Sequence, residues 1–430
     1  MVRALRVTAH AAACAIAVCA FVACAHVVPP APADTNLPAY WDLVARLDLG
    51  RAARAAKSND EARLTEALTR VTGGETARAT VLLDSLTRRP STDSTVRRVS
   101  LVVLAGLLHT EHLWSELRAL PTVPGIRRDS ADLAGVEAWA AAFALVRAPR
   151  ARFRSDSAIF PIVLSPLGVP MLPVEINGRR FLFWIDTGAS LTMISADVAR
   201  VAGIAPLSAD SLEAVTAVGR LRVLPAVIRA LRVGPLDWSD APAMIVGSRE
   251  FTVADSAAAG HISRVQIDGI VGWDVLRQLD VRIDHPRGVL TMRKPGEEHL
   301  DPSRRNLFWL GYPLVRAKTA DGAALNLGLD TGLQQTFVTR VLAALAGASP
   351  VPVERRRIAV IGGDSTVRAE MLQEVRLKIG DSEVLIRRVT VHAPANAGFV
   401  MLDGVLGSDI GAEGVVRIDA TNGVYRVTPL

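Results

Sequence analysis

The tripeptide Asp-Thr-Gly occurs twice, at Asp186-Thr187-Gly188 and Asp330-Thr331-Gly332. Each copy follows an apolar, strand-like run, Phe181 to Ile185 and Leu325 to Leu329. Asp and Gly are both turn formers, so a lone copy is more often an ordinary turn than a site. Two carboxylates delivered by two similar units are different. Held about 3 Å apart they cannot both ionise, so one pKa rises and the other falls. The pair then titrates as a unit and shares one proton. Its ionised member can take a proton from water, and its protonated member can donate to a carbonyl oxygen. This is acid/base chemistry fit to hydrolyse an amide without a metal or a covalent nucleophile.

The surrounding elements repeat with the tripeptide. Asp330 and Asp186 differ by 144 residues, as do Thr336 and Thr192, and Gly363 and Gly219. Asp268-Gly-Ile-Val-Gly272 returns as Asp403-Gly-Val-Leu-Gly407, and Arg282-Ile-Asp284 as Arg417-Ile-Asp419, both 135 residues on. An ordered series with one change of offset indicates a duplicated domain whose first copy carries an extra segment, around 248–265. Each copy reads as β-rich. Asn177-Gly178 and Asp321-Gly322 are hairpin turn signals between apolar runs. Each copy also ends in a strand, a turn and a strand, at 281–292 and 415–427. Short helical patterns fall at Ala196–Ala202, Val275–Leu279 and Thr339–Ala346.

These residues resemble a known family. Asp-Thr-Gly-Ala-Ser after an apolar pair, then a glycine-bearing hairpin, then an apolar-apolar-Gly element, is similar to a retropepsin lobe. Two such units resemble a two-lobed aspartic peptidase of the pepsin/retropepsin superfamily, over roughly residues 155–430. The resemblance implies a mainly β fold of two β-barrel lobes paired within one chain, with Asp186 and Asp330 as the catalytic dyad and a peptide or protein as substrate. It implies that Thr187 and Thr331 hydrogen-bond across the lobe interface. Ile270-Val271-Gly272 and Val405-Leu406-Gly407 would then pack beneath the two loops. Gly188 and Gly332 permit close backbone approach to the carboxylates. Gly219, Gly362 and Gly363 fall where such lobes carry a flap that closes over substrate. The copies are unequal: the first reads Ala189-Ser190 after the tripeptide, the second Leu333-Gln334. Ser190 can hydrogen-bond the neighbouring carboxylate and Gln334 is larger, so an asymmetric dyad is expected. Neither flap segment contains a tyrosine.

Other chemistries find little support. Gly363-Asp364-Ser365 has no identifiable histidine partner. His109-Thr-Glu-His112 has no third ligand pattern and reads as a solvated helix end, so neither metal nor cofactor is expected. The net charge of +6 comes from scattered arginines, not from basic runs with interleaved aromatics, which argues against nucleic-acid binding.

The chain begins with Arg3 and Arg6, followed by a small apolar stretch to Ala23. That pattern fits a secretory signal over residues 1–24. Two cleavage readings stand. Phe21-Val-Ala-Cys24 resembles a bacterial lipobox with Cys24 as the lipidated residue, and Ala23-Cys-Ala25 fits ordinary signal cleavage. The Pro/Ala-rich linker at 25–37 favours a lipid anchor in the membrane, with the protein in the cell envelope facing the periplasm. The other reading leaves it periplasmic or secreted. All three cysteines, Cys14, Cys19 and Cys24, lie in the signal, so no disulfide is expected. Residues 38–150 are rich in Ala, Leu, Arg and Glu and read as helical, with helices at 41–57, 60–70, 75–87, 95–109 and 131–146. They are compatible with a tetratricopeptide-like array or with a small bundle packed on the lobes. The lobes are expected at 151–297 and 298–430. The function expected is that of an aspartic endopeptidase, the alternative a peptide-binding lipoprotein that keeps the fold without catalysis.

Overall fold

The computed structural model describes residues 39–121, 138–165, 167–216, 219–255, 263–296, 304–347, 350–360, 363–393 and 395–429. The signal, the linker and Cys24 lie outside them, as does Gly362. An antiparallel helical layer comes first: α1 (Ala39–Ala45), α2 (Leu49–Ala55), α3 (Asn59–Thr72), α4 (Thr76–Arg88), α5 (Ser94–Thr110), α6 (Trp114–Arg118) and α7 (138–143). The single helix expected over 41–57 is two helices. Leu47 takes a left-handed φ of 52°, which breaks the chain while burying its side chain. Asp48 then caps α2 by accepting from the Arg51 N–H at 3.2 Å. The last expected helix is described only over 138–143.

His109 and His112 do not form a solvated helix end. His109 is edge-on to Trp114, with ring centroids 5.2 Å apart. His112 contacts both Trp114 and Trp238, at 5.6 and 5.5 Å, and both histidines are buried. Their spacing marks a helix terminus but carries no sign that a β-lobe covers it.

Lobe 1 comprises β1 (Arg150–Phe153), β2 (Ser157–Pro161), β3 (Val163–Leu164), β4 (Pro170–Ile176), β5 (Arg179–Ile185), β6 (Met193–Ser195), α8 (Ala196–Ala202), β7 (Leu212–Thr216), β8 (Gly219–Val233) and β9 (Leu236–Val246). It continues through β10 (Thr252–Asp255), β11 (Ser263–Gln266), β12 (Gly269–Val271), α9 (Trp273–Leu276), β13 (Asp280–Asp284) and β14 (Val289–Arg293). Strands β9, β6, β12, β5, β4 and β8 pair in that order, and β8 pairs back to β9, closing a barrel. Asn177 and Gly178 take φ of 49° and 80° and reverse the chain between β4 and β5, as expected for a two-residue hairpin.

Lobe 2 repeats the plan. Its elements are β15 (Leu307–Trp309), β16 (Pro313–Thr319), β17 (Ala324–Leu329), β18 (Phe337–Thr339), α10 (Arg340–Leu345), β19 (Val351–Val360), β20 (Gly363–Ile379), β21 (Ser382–His392), β22 (Ala395–Ala397), β23 (Val400–Leu402), β24 (Gly404–Leu406), β25 (Gly414–Asp419) and β26 (Val424–Pro429). Strands β16, β17, β24, β18, β21 and β20 close the second barrel through the β16–β20 pairing. The extra segment of lobe 1 is the β10–β11 hairpin, matched in lobe 2 by the shorter β22–β23 hairpin.

A third sheet joins the lobes, in the order β2-β14-β13-β25-β26. Its centre is the antiparallel β13–β25 pair, where Arg282 faces Arg417. These are equivalent residues of the two copies, so the pseudo-twofold axis passes between them. The fold is thus mainly β, two barrels related by this axis and preceded by helices. One apolar core fills both barrel interiors, and a second runs from the helices onto the outer faces of β5, β6, β12 and β24.

Burial lowers the His109 pKa to about 4, so the fold accommodates its neutral form. The unfolded chain protonates near pH 6.5, and the folded chain only near 4. The stability this site contributes is therefore complete above pH 6.5 and falls as the pH drops toward 4, a loss of about 2 kcal/mol at pH 5. His109→Phe keeps the volume and removes the proton site. Thermal melts at pH 7 and pH 5 should show a smaller acid-induced drop in the variant than in the parent; equal drops would refute this.

Candidate active site

The two Asp-Thr-Gly loops meet at the pseudo-twofold axis. Each follows a strand, β5 or β17, that runs parallel to the apolar-apolar-Gly strand of its own lobe, β12 or β24. The Asp186 N–H donates to Val271 O at 3.1 Å, and the Asp330 N–H to Leu406 O at 2.9 Å. The glycine ending each of these strands has a steric cause. A Cβ at Gly272 would stand 2.6 Å from the Leu191 carbonyl carbon, and one at Gly407 2.8 Å from that of Gln335.

Thr187 and Thr331 bind the loops to each other. The Thr187 N–H donates to Thr331 Oγ1 and the Thr331 N–H to Thr187 Oγ1, both at 3.0 Å. Each hydroxyl then donates across the interface, Thr187 to Leu329 O at 2.9 Å and Thr331 to Ile185 O at 2.8 Å. All four partners are buried.

Gly188 and Gly332 mark the approach of the carboxylates. A Cβ on Gly188 would lie 2.7 Å from Asp330 Cγ, and one on Gly332 would meet the Asp186 carboxylate as closely. Each aspartate therefore rests against the opposite loop's glycine. Both are almost fully buried, at 3% and 2% exposure. Asp186 accepts from the Gly188 N–H at 2.8 Å and the Ala189 N–H at 3.2 Å. Asp330 accepts from the Leu333 N–H at 3.0 Å and is further held by the Gly332 N–H and the Tyr312 hydroxyl.

Burial raises the pKa of both carboxyls, and for Asp186 the neighbouring Asp330 charge adds to it. The two carboxyls titrate as one unit. Asp330 faces more donors than Asp186 does.

This asymmetry does not come from Gln334. Its side chain is exposed, away from the buried carboxylates. Nor does Ser190 support Asp186: its buried Oγ makes no hydrogen bond among the described residues. The difference between the lobes comes from Tyr312, which the sequence reading overlooks. Register sets its counterpart: Leu314 pairs with Gly328 in lobe 2 as Met171 pairs with Trp184 in lobe 1, so Tyr312 answers to Val169. Gly328 makes room for the phenol ring, since a Cβ there would stand 2.7 Å from Tyr312 Cε1. Lobe 1 has the reverse arrangement, a large Trp184 beside a smaller Val169.

A second overlooked pair anchors the loop ends. Asp274 accepts from the Thr192 N–H at 3.1 Å and its hydroxyl at 3.0 Å, and Asp409 accepts from the Thr336 N–H at 2.8 Å and its hydroxyl at 2.6 Å. The two threonines differ by 144 residues and the two aspartates by 135, the offsets already present in the repeat. Burial pushes the Asp274 carboxyl up to about 7. Of the flap glycines, Gly219 and Gly363 are described. Gly219 pairs with Thr216 at the end of the β7–β8 hairpin, and Gly363 with Val360 at the end of β19–β20. The tips between them are outside the described residues.

Residues 172–275, most of lobe 1, match the family model described as aspartyl protease. No curated protein sequence matches the chain. Among solved structures, a retropepsin-like aspartic protease from Rickettsia conorii aligns at 15% identity over 33% of this chain and 95% of its own, with a TM-score of 0.22. An aspartic proteinase from Irpex lacteus aligns at 12% identity over 62% of this chain and 95% of its own, with a TM-score of 0.40. The family match and the barrel-and-loop architecture agree with the resemblance to a two-lobed aspartic peptidase.

Thr331→Val deletes the hydroxyl that bonds the Thr187 N–H and Ile185 O. It leaves two buried groups unpaired, at roughly 1–3 kcal/mol each. Chemical denaturation should show a loss of about 2–6 kcal/mol. A change below about 0.5 kcal/mol would show that these bonds do not hold the lobes.

Proposed function

We propose that the chain is an aspartic endopeptidase that hydrolyses peptide bonds with a water held between Asp186 and Asp330. One observation carries this reading: two buried carboxyls, one from each lobe, each pressed against the glycine of the opposite loop. Such a pair retains a proton, and water placed between its members meets both a base and an acid. Asp330, the member facing more hydrogen-bond donors, takes the proton from water. Asp186 donates to the oxygen of the scissile carbonyl. The substrate is an extended peptide that pairs its backbone with the β7–β8 and β19–β20 hairpins and sets alternate side chains into pockets. The resemblance of 1–24 to a lipoprotein signal adds an exported protein anchored at Cys24 and facing the periplasm. A mature N-terminus found unmodified at His26 by mass spectrometry would remove the anchor from this reading.

Incubation with a mixed peptide library between pH 3 and 7 tests the activity. Asp186→Asn and Asp330→Asn should each lower cleavage by about 10²–10⁴-fold, with folding checked by circular dichroism. Cleavage that survives both single substitutions refutes the dyad.

Tyr312→Phe tests the asymmetry. The phenol stabilises the charged form of Asp330, so its loss raises the pKa at which the dyad first ionises. The acidic limb of the pH–activity profile should move up by about one pH unit, since a hydrogen bond to a charged group contributes roughly 1.5–3 kcal/mol. An unmoved acidic limb would show that Tyr312 only fills space.

A further inference from the structure

Lobe 2 has a second concave site, away from the dyad. A cavity of about 700 Å3 opens between the start of β15, the outer face of β16, the turn after β20, and β26. Six cationic side chains line it, Arg304, Arg305, Arg316, Lys318, Lys378 and Arg426, against the single carboxylate of Asp381. Its size suits a small molecule, but its lining is charged where ligand pockets are ordinarily apolar.

The placement of these cations works against the fold. Lys318 and Lys378 stand directly opposite each other in the β16–β20 register, an arrangement that destabilises a sheet, and Lys378 has Glu383 opposite it on its other side, in the β20–β21 register. Arg316, two residues along the same strand face, is half-buried over the Phe308 ring, 5.1 Å from its centroid. No carboxylate pairs with it among the described residues. Arg305 is wedged against the backbones of Gly74 and Gly423, and its buried Nε has no hydrogen-bond partner among the described residues. Burial lowers the pKa of both arginines; the Asp419 charge offsets this in part at Arg305, and no charge offsets it at Arg316 among the described residues. A solvated basic face spreads its charges into water. Here they converge on one hollow.

We infer that this cavity binds a compact polyanion carrying two or more phosphate groups. Six cations against one carboxylate leave a large excess of positive charge. Phosphates supply several negative charges in a small volume, where a dicarboxylate of similar size supplies two. Arginine forks match phosphate oxygens in pairs, and lysines add point charges. Such a ligand separates Lys318 from Lys378 with negative charge and gives Arg316 its counter-ion. The site stands independently of the dyad.

Calorimetric titration of the purified full-length chain with inorganic pyrophosphate tests this. Co-sedimentation with cardiolipin and phosphatidylcholine vesicles separates a soluble phosphate ligand from a lipid headgroup that carries two phosphates. Lys318→Gln/Lys378→Gln changes only exposed residues, and Arg316→Gln removes the half-buried cation. The parent should bind pyrophosphate or the anionic vesicles saturably, and each variant should weaken that binding at least tenfold. Pyrophosphate binding assigns the site to soluble phosphates; binding confined to cardiolipin vesicles assigns it to headgroups. Absence of saturable binding up to millimolar pyrophosphate and to both vesicles overturns the inference. Equal binding by the parent and the double lysine variant overturns it as well.

Discussion

The reciprocal bonding of Thr187 and Thr331 is the constraint on which the rest of the structure depends. Two carboxyls can share a proton only if the loops bearing them are held face to face, against their mutual repulsion and the cost of burial. The four threonine bonds do this at the axis itself, where a shift of either loop would break two of them together. The β13–β25 sheet supports them from below, because it fixes the same axis through the Arg282–Arg417 register. The glycines follow from the same geometry. With the loops locked this close, the space beside each carboxylate holds no Cβ on the opposite strand turn.

Symmetry of the backbone does not require symmetry of the proton. The two barrels exchange volume at one pair of positions, Val169 with Trp184 in one and Tyr312 with Gly328 in the other. A filled core is obtained either way, so packing alone does not choose between them. The choice matters for charge. The Trp184 indole N–H is buried without a hydrogen-bond partner among the described residues, whereas the Tyr312 hydroxyl reaches Asp330. Lobe 2 thus offers its carboxylate a donor that lobe 1 does not, and a donor there favours the charged form of Asp330.

Much of this plan is legible in the sequence because it rests on local rules. Asn177-Gly178 makes its hairpin from its own φ preferences, and Ala196–Ala202 is helical between Ser195 as cap and Gly203 in the left-handed region. The duplicated offsets locate the loops and the strands beneath them. What escapes is set by contacts between distant segments. Tyr312 lies 18 residues before Asp330, and only the strand register brings its ring over Gly328. Gln334 stands where Ser190 stands in the other copy, yet its side chain turns to solvent, so aligned position alone misdirects the argument for asymmetry. His109 and His112 read as polar helix-end residues until the face of lobe 1 that carries Trp238 is laid over them.

The helical layer shares in the site's rigidity. Its core is continuous with the outer faces of the strands that carry the dyad loops, and two polar ties and one packed arginine reinforce the apolar contact. Glu111 pairs with Arg277 at 2.8 Å, the Asn326 side chain donates to Arg46 O at 2.7 Å, and Arg305 packs on Gly74. More telling is α5, where Gly106 lies against the backbone of Gly311. Gly311 precedes Tyr312, so the helix backs the very segment that presents the phenol to Asp330. A tyrosine hydroxyl tunes a carboxylate only if its ring is held in one place. Gly328 clears that place on the barrel side, and α5 closes it from behind. The helices therefore help to hold the Tyr312 ring in place, and a lobe pair stripped of them would keep its two aspartates while losing the support behind that donor.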